Sequence, residues 1–131
     1  PKNITPTDVL DFRNHIFKNS KRKEYIYVFG IADIYATEDT TCSLHIAHDD
    51  ALTIWMWGRR IYFDNEYLPM DKMRTLDISL RKGVNRFVFR CVNYQIDWFV
   101  HIRLTQKGNM YPPKNAGFVP VDILKVNKEG R

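Results

Sequence analysis

The chain has 131 residues, which suits one domain with its own hydrophobic core and is too short for two. Hydrophobic residues make up 44% and charged residues 27%, a globular balance, and no apolar window is long enough to span a bilayer. Aromatic residues reach 14%, which favours β structure, and a net charge of +5 favours acidic partners such as nucleic acid, acidic polysaccharide or anionic surfaces.

The N-terminal segment, residues 1–23, predicts a short helix or linker segment before the main body. The run Thr5–Asp8 has the residue types of a helix start, with a threonine cap and proline at the first helical position. Apolar residues then follow at helical spacing at Val9, Phe12 and Ile16. We expect a helix of about three turns, followed by a polar loop over residues 18–23.

Residues 24–126 predict an all-β fold, an antiparallel β-sandwich of the jelly-roll type, because short strands alternate with turn signals. The strand over residues 25–31 is apolar on both faces, which predicts a central strand covered on both sides. A hairpin is expected around Gly58. Further strands are expected over 41–46, 76–80, 86–92, 98–104 and 118–126, with residues 1–131 forming a single module.

Cys42 and Cys91 are the two cysteines, and each lies in an apolar run. They are either buried thiols or a single bridge between strands, and spacing does not choose between these. The start at Pro1 has no signal-peptide pattern and suggests a processed chain or an excised module.

The stretch from His48 to Ile61 carries the candidate binding residues, since it joins two adjacent aspartates to an alternating strand and a tight turn. Trp55 and Trp57 are expected to share one face of that strand. Sugar rings pack on aromatic planes, while their hydroxyls need polar partners. The candidate ligand-binding residues are Trp57, Arg59, Arg60, Tyr62, Trp55, Asp49 and Asp50, with Trp55 more easily explained by packing.

The Asp49-Asp50 pair has three interpretations. It can cap a turn through its own backbone, accept hydrogen bonds from sugar hydroxyls, or bind Ca²⁺ together with carbonyl oxygens. Calcium is therefore the one cofactor that the sequence suggests. His48 beside the pair is interpreted as a surface contact of a loop and not as a catalytic base.

Three spaced motifs resemble the galactose-binding-like jelly-roll modules attached to secreted carbohydrate-active enzymes. The family patterns are close to S-D-D-G-x-x-V-W-x-N-G, L-x-x-G-x-N and W-x-F-x-x-R-L. The residues in step with them are Asp49, Asp50, Trp55, Gly58, Leu80, Gly83, Asn85, Trp98, Val100 in place of Phe, Arg103 and Leu104. Two positions depart from the pattern: Ala51 replaces a glycine, and Trp57 replaces the asparagine that favours a turn.

The resemblance implies a non-catalytic carbohydrate-binding module, an accessory domain of a larger extracellular or cell-surface protein. Its expected partners are a polysaccharide, with the positive charge favouring an acidic one, and the other domains of the parent protein. The alternative is a structural or protein-interaction domain whose exposed aromatic residues meet a neighbouring module.

Two other classes have less support. An enzyme is not expected, because the histidines are scattered, and Asp64 and Glu66 could act as glycosidase carboxylates only across a cleft. Nucleic-acid binding would need stacking aromatic residues, but the candidates lie in apolar strands that predict core positions. Those candidates are Tyr25, Tyr27, Phe87 and Phe89. No membrane partner is expected.

Overall fold

The computed structural model describes residues 2–4, 10–20, 24–119 and 121–126, and for 2–4, 15 and 121–126 it describes the backbone alone. Two antiparallel sheets pack against each other, which confirms the all-β sandwich. The seven-stranded sheet has the order β1-β11-β3-β8-β5-β6, with β10 also paired to β3, and the four-stranded sheet has the order β2-β9-β4-β7. The strands are β1 Lys2–Ile4, β2 Leu10–Asp11, β3 Ile26–Ala36, β4 Thr40–Asp49, β5 Leu52–Met56, β6 Arg59–Asp64, β7 Arg74–Leu80, β8 Gly83–Asn93, β9 Phe99–Gln106, β10 Ala116–Phe118 and β11 Val121–Val126.

The N-terminal segment differs from its prediction. Leu10–Asp11 pairs with β9, and Phe12–Ile16 forms one turn of π-helix in place of a helix of several turns. Asp11 caps this turn by accepting a hydrogen bond from the Asn14 backbone at 2.8 Å. The prediction of a three-turn helix is wrong for the described part of the segment. The backbone of Leu10–Asp11 is hydrogen-bonded to β9 and so is not available for a helix. Thr5–Asp8 and residues 21–23 of the predicted loop lie outside the described residues.

The core lies between the two sheets and follows the alternation in the sequence. The Phe89 ring lies directly over Gly30, where an added Cβ would come within 2.1 Å of it. A glycine is therefore required at the centre of β3. The largest fully buried side chains include Trp98, Phe12, Phe87, Phe89, Ile34, Leu44, Ile46, Leu52, Ile54 and Met56.

Both cysteines are buried free thiols, so the first of the two alternatives is the one found. Cys42 lies on β4 and Cys91 on β8, in different sheets. Burial raises the pKa of both thiols, which keeps them protonated. In the described ranges no helix is long and apolar enough to cross a membrane.

The two sheets present different outer faces. The outward residues of β3, β5, β6 and β8 form what we call the aromatic face: Tyr27, Phe29, Ile31, Asp33, Tyr35, Trp55, Arg60, Phe63, Val84, Arg86, Val88 and Arg90. The polar face, on the four-stranded sheet, comprises Ser43, His45, Thr75, Asp77 and Thr105. The prediction that β3 is covered on both sides is wrong for its outer side, where Ile31 and Tyr35 are 38% and 52% exposed.

Candidate functional site

The residues predicted to form one binding surface lie in separate places. The Asp49-Asp50 pair precedes β5, whereas Trp57 follows it. Five residues of extended strand span about 17 Å, so the two groups lie at opposite ends of the strand. One small ligand cannot contact both.

The aspartate pair ties together segments that are distant in the chain. The Asp50 carboxylate accepts a hydrogen bond from the backbone N–H of Tyr94, in the loop after β8, at 2.7 Å. Burial, the Asp50 carboxyl and the Asp97 charge together raise the pKa of Asp49 to about 8. Among the described residues no group of three or more His, Cys, Asp or Glu side chains is placed to hold a metal ion. These contacts give Asp50 a structural role across two segments, and they do not show the capping of its own turn that the sequence predicted. Calcium binding and contact with a sugar stay predictions.

His48 and Tyr62 form a buried pair, which corrects two predictions. His48 is fully buried at the end of β4, not on a loop surface. Its Nδ1 donates to the Asp50 carbonyl at 2.6 Å, so its Nε2 accepts from the Tyr62 hydroxyl at 2.9 Å. Burial lowers the pKa of His48 and raises the pKa of Tyr62 to about 12, so both are neutral. Tyr62 has no surface for a ligand.

A β-bulge explains why Arg60 and Tyr62, which are two residues apart on β6, lie on opposite faces of the sheet. The register of β5 and β6 shifts between Ile54 and Trp55, so that Ile54 faces Tyr62 while Trp55 faces Arg60. Tyr62 therefore turns inward, and Arg60 stays on the aromatic face. The Arg60 guanidinium lies 5.3 Å from the centre of the Phe63 ring.

Trp57 occupies the turn itself, and so it does not share a strand face with Trp55. Trp57 and Gly58 have φ values of 52° and 74°, the two left-handed residues of a type I′ hairpin turn. The Arg81 guanidinium lies 4.9 Å from the centre of the Trp57 ring, and the ring also packs against the core. Arg59, two residues after Trp57, is exposed. Because Arg81 covers the ring, Trp57 offers little stacking surface to a sugar.

Trp55 lies in a groove on the aromatic face. Its ring centre is 6.3 Å from that of Phe29, with 36° between the planes. Val88 pairs with Trp55 on one side and with Ile31 on the other. The groove has a volume of about 540 Å³ and is lined by Phe29, Trp55, Gly58, Arg86, Val88 and Arg90. Its walls are therefore mostly apolar, with guanidinium groups beside them.

The two arginines of the groove differ in their partners. Arg86 pairs with Asp33, its Nε and Nη2 lying 3.1 Å and 3.5 Å from the carboxylate oxygens. Arg90 makes no such pair with the described carboxylates, and its buried Nε has no hydrogen-bond partner among the described residues. The guanidinium instead lies 5.6 Å from the centre of the Tyr27 ring. Arg90 is thus a cation positioned by the Tyr27 ring, and its Nε–H donor has no acceptor among the described residues.

Several polar side chains of the polar face bond to one another or to the backbone. Ser43 donates to the Asp77 carboxylate at 2.7 Å. The Thr105 hydroxyl donates to the Gln106 carbonyl, so His45 Nε2 donates to Thr105 at 2.8 Å. Thr75 then donates to His45 Nδ1 at 3.2 Å. Burial and the nearby Arg103 lower the pKa of His45, in agreement with this neutral ring.

Sequence reasoning missed Phe29, Val88 and Arg90. The signal was present in the run Arg86–Cys91, where arginine and valine alternate with Phe87 and Phe89. Alternation sends one set to the core and the other to the surface. The residues that alternate with Phe87 and Phe89 in this run line the groove, as does Phe29, which alternates with core residues on β3.

The residues of the other two function classes also have clear positions. Asp64 accepts a hydrogen bond from the Glu66 backbone at 3.0 Å, so these carboxylates belong to one turn and do not face each other across a cleft. The prediction of core positions is wrong for Tyr25, which is 49% exposed, and for Tyr27, which lies half-buried on the aromatic face. Phe87 and Phe89 are 1% exposed, which confirms them as core residues. Neither could stack on a nucleic-acid base.

The chain was compared with family models, curated proteins and solved structures, and none of them matches it. The resemblance to galactose-binding-like modules therefore stays a prediction. One of its motif residues has a clear structural role: Asn85 is fully buried and bonds to the backbone of Arg81, Gly83 and Ile34. It fixes the turn between β7 and β8.

Proposed function

We propose that the chain is a non-catalytic carbohydrate-binding module that binds a polysaccharide on its aromatic face. The observation that carries the proposal is the groove in which Trp55 and Phe29 lie beside two arginines. Aromatic planes accept the C–H faces of sugar rings, and guanidinium groups donate to their oxygens. The volume of about 540 Å³ lies within the range of ligand pockets.

The site proposed here differs from the one that the sequence suggested. Trp55 replaces Trp57 as the stacking residue, because Arg81 covers the Trp57 ring. Arg60 remains a candidate contact, since it pairs with Trp55 across the hairpin. The proposed setting is an accessory domain of a larger extracellular or cell-surface protein, in which a polysaccharide is the natural ligand.

A second candidate function is docking of a neighbouring domain on the same face. Tyr35 and Val84 pair across β3 and β8, and they are 52% and 64% exposed. Exposed apolar residues next to one another are typical of protein interfaces. They lie beyond Arg86 from the groove, so the two functions use different parts of the face.

The experiment is a binding panel of neutral and acidic polysaccharides, measured by affinity electrophoresis with and without a calcium chelator. We expect retention by at least one polysaccharide and its loss in Trp55→Ala, while the matched control Trp57→Ala binds as the wild type does. Loss of retention on chelation would assign calcium to the site. If no polysaccharide retards the wild-type chain, the proposal is wrong and domain docking takes its place.

A further inference from the structure

The Arg90 side chain is the strongest indication of what kind of sugar the groove takes. Its Nε is buried and has no acceptor among the described residues. A buried donor without an acceptor destabilises the fold, and more so when it is charged. Such a group calls for an explanation, and a ligand that draws the guanidinium toward the groove and supplies an acceptor is one.

Arg90 is one of the residues that line the groove. It lies on β8 between Phe29 of β3 and Thr53 of β5 in the sheet register. Val88, two residues earlier on the same face, pairs with Trp55. A sugar ring stacked on Trp55 would therefore lie within about one residue pair, roughly 7 Å, of the guanidinium.

The charge around the groove favours an anion. Arg86 is already paired with Asp33, so its charge is largely balanced. No described carboxylate balances Arg90. The Tyr27 ring holds the Arg90 guanidinium in place, which lowers the entropy cost of binding a partner.

We infer that the groove recognises an acidic sugar, a uronate residue of a polysaccharide, whose carboxylate accepts hydrogen bonds from Arg90 while its ring stacks on Trp55. This inference rests on the proposed function and names its ligand class. A carboxylate has the planar, two-oxygen geometry that matches one edge of a guanidinium. Arg90 is thereby a specificity-determining residue, and Trp55 contributes binding to any sugar ring.

The test compares polygalacturonate with galactan, an uncharged polymer of the parent sugar, using titration calorimetry. The variants are Arg90→Gln, Arg90→Lys and the control Arg103→Gln, which removes the same charge from an exposed position on β9 of the other sheet. We expect Arg90→Gln to weaken polygalacturonate binding by about tenfold to a hundredfold. Arg90→Lys keeps the charge but loses the planar edge, and its affinity should fall between those of Arg90→Gln and the wild type. Arg103→Gln should stay within about twofold of the wild type.

The outcomes separate this inference from the proposed function. If galactan binds as tightly as polygalacturonate and Arg90→Gln changes neither, the acidic-sugar inference is overturned while carbohydrate binding stands. If a sulfated polymer binds through Arg90 and polygalacturonate does not, the uronate assignment is overturned. If neither polysaccharide binds the wild-type chain, and its thermal unfolding shows that it is folded, both proposals fail. Equal losses of affinity in Arg90→Gln and Arg103→Gln would show a general charge effect and would also overturn the acidic-sugar inference.

Discussion

On the polar face Ser43, His45 and Thr105 each meet a partner within the chain, whereas on the aromatic face Arg90 keeps a buried donor without one. Both faces belong to the same sandwich and are built by the same strand alternation. Folding can explain these contacts of the polar face, because the hydrogen bonds compensate the burial of the polar atoms that make them. It does not explain a cation without a described carboxylate partner beside the half-buried rings of the aromatic face.

The difference teaches where to look for function in a β-sandwich. Polar networks whose members bond to one another stabilise the fold, and a buried group left without a partner is a candidate contact for a ligand. We therefore expect substitutions on the aromatic face to change ligand affinity with little effect on stability. Substitutions on the polar face should lower stability with little effect on ligand affinity.

The largest effect is expected from giving Arg90 a partner within the chain. Val88→Glu places a carboxylate two residues away on the same face, about 7 Å along the strand. The new charge would pair with Arg90 and repel an acidic ligand, so we expect affinity for an acidic polysaccharide to fall by about a hundredfold or more. Calorimetric titration measures the change.

The control for that variant is Val84→Glu, which adds the same charge to the same strand and face beside Tyr35. We expect it to weaken binding by less than about threefold, because it lies farther from Trp55. Equal losses from the two variants would mean that net charge, not the groove, governs binding.

The next effect is a loss of stability on the polar face. His45→Ala leaves the hydroxyls of Thr75 and Thr105 without their ring partner. We expect the free energy of unfolding to fall by about 1–3 kcal/mol and polysaccharide affinity to stay unchanged, as measured by urea denaturation and titration. Ser79→Ala, an exposed position on β7, serves as the control and should change stability by less than about 0.5 kcal/mol. Weakened binding in His45→Ala would break the contrast between the faces.

A smaller effect is expected at the hairpin turn. Trp57 holds a left-handed conformation that favours asparagine, and its ring stacks with Arg81. Trp57→Ala keeps the unfavourable backbone and loses the ring contact, whereas Trp57→Asn loses the contact but suits the turn. We therefore expect the asparagine variant to be more stable than the alanine variant by about 1 kcal/mol in thermal unfolding. The opposite order would show that ring packing dominates at this turn.

The smallest effect concerns pH. The pKa of Asp49 lies above its ordinary value in the folded chain, so the folded state holds a proton that the unfolded state releases above about pH 4. This contribution to stability is present in acid and is lost as the pH rises toward about 8.

Asp49→Asn should remove that loss, which solvent screening limits to about 1 kcal/mol or less. The difference in unfolding free energy between the variant and the wild type should therefore shift in favour of the variant between pH 5 and pH 8. Comparing the two chains at each pH cancels the opposite contribution of His45 and His48, whose lowered pKa values reduce stability in acid. A difference that does not change with pH would contradict the assignment.

The sequence predicted the strands well because alternation is a local signal. Ile78 and Leu80 are buried as predicted, and the hairpin around Gly58 is present. Tyr62 was placed wrongly, since the bulge opposite Ile54 changes which side chains share a face, and strand alternation alone does not reveal a bulge. His48 was placed wrongly because β4 continues to Asp49, beyond the predicted end of the strand.

The candidate site was harder to predict than the fold. Trp55 and Arg90 meet through the pairing of β5 with β8, which are more than thirty positions apart in the chain. Partner strands in a sheet of this order follow from the whole topology and not from any one motif. The missing partner of Arg90 is likewise a property of the assembled face.

The most direct test uses the three tryptophans of the chain as reporters. Trp55 lies in the groove, Trp57 in the turn, and Trp98 in the core, where its indole donates to the Cys91 carbonyl at 3.2 Å. The measurement is an NMR titration of the three indole N–H signals, assigned by single Trp→Phe variants, with oligogalacturonate. Binding on the aromatic face predicts that the Trp55 signal shifts while those of Trp57 and Trp98 stay in place. A shift of the Trp57 signal alone, or of none of the three, would contradict it.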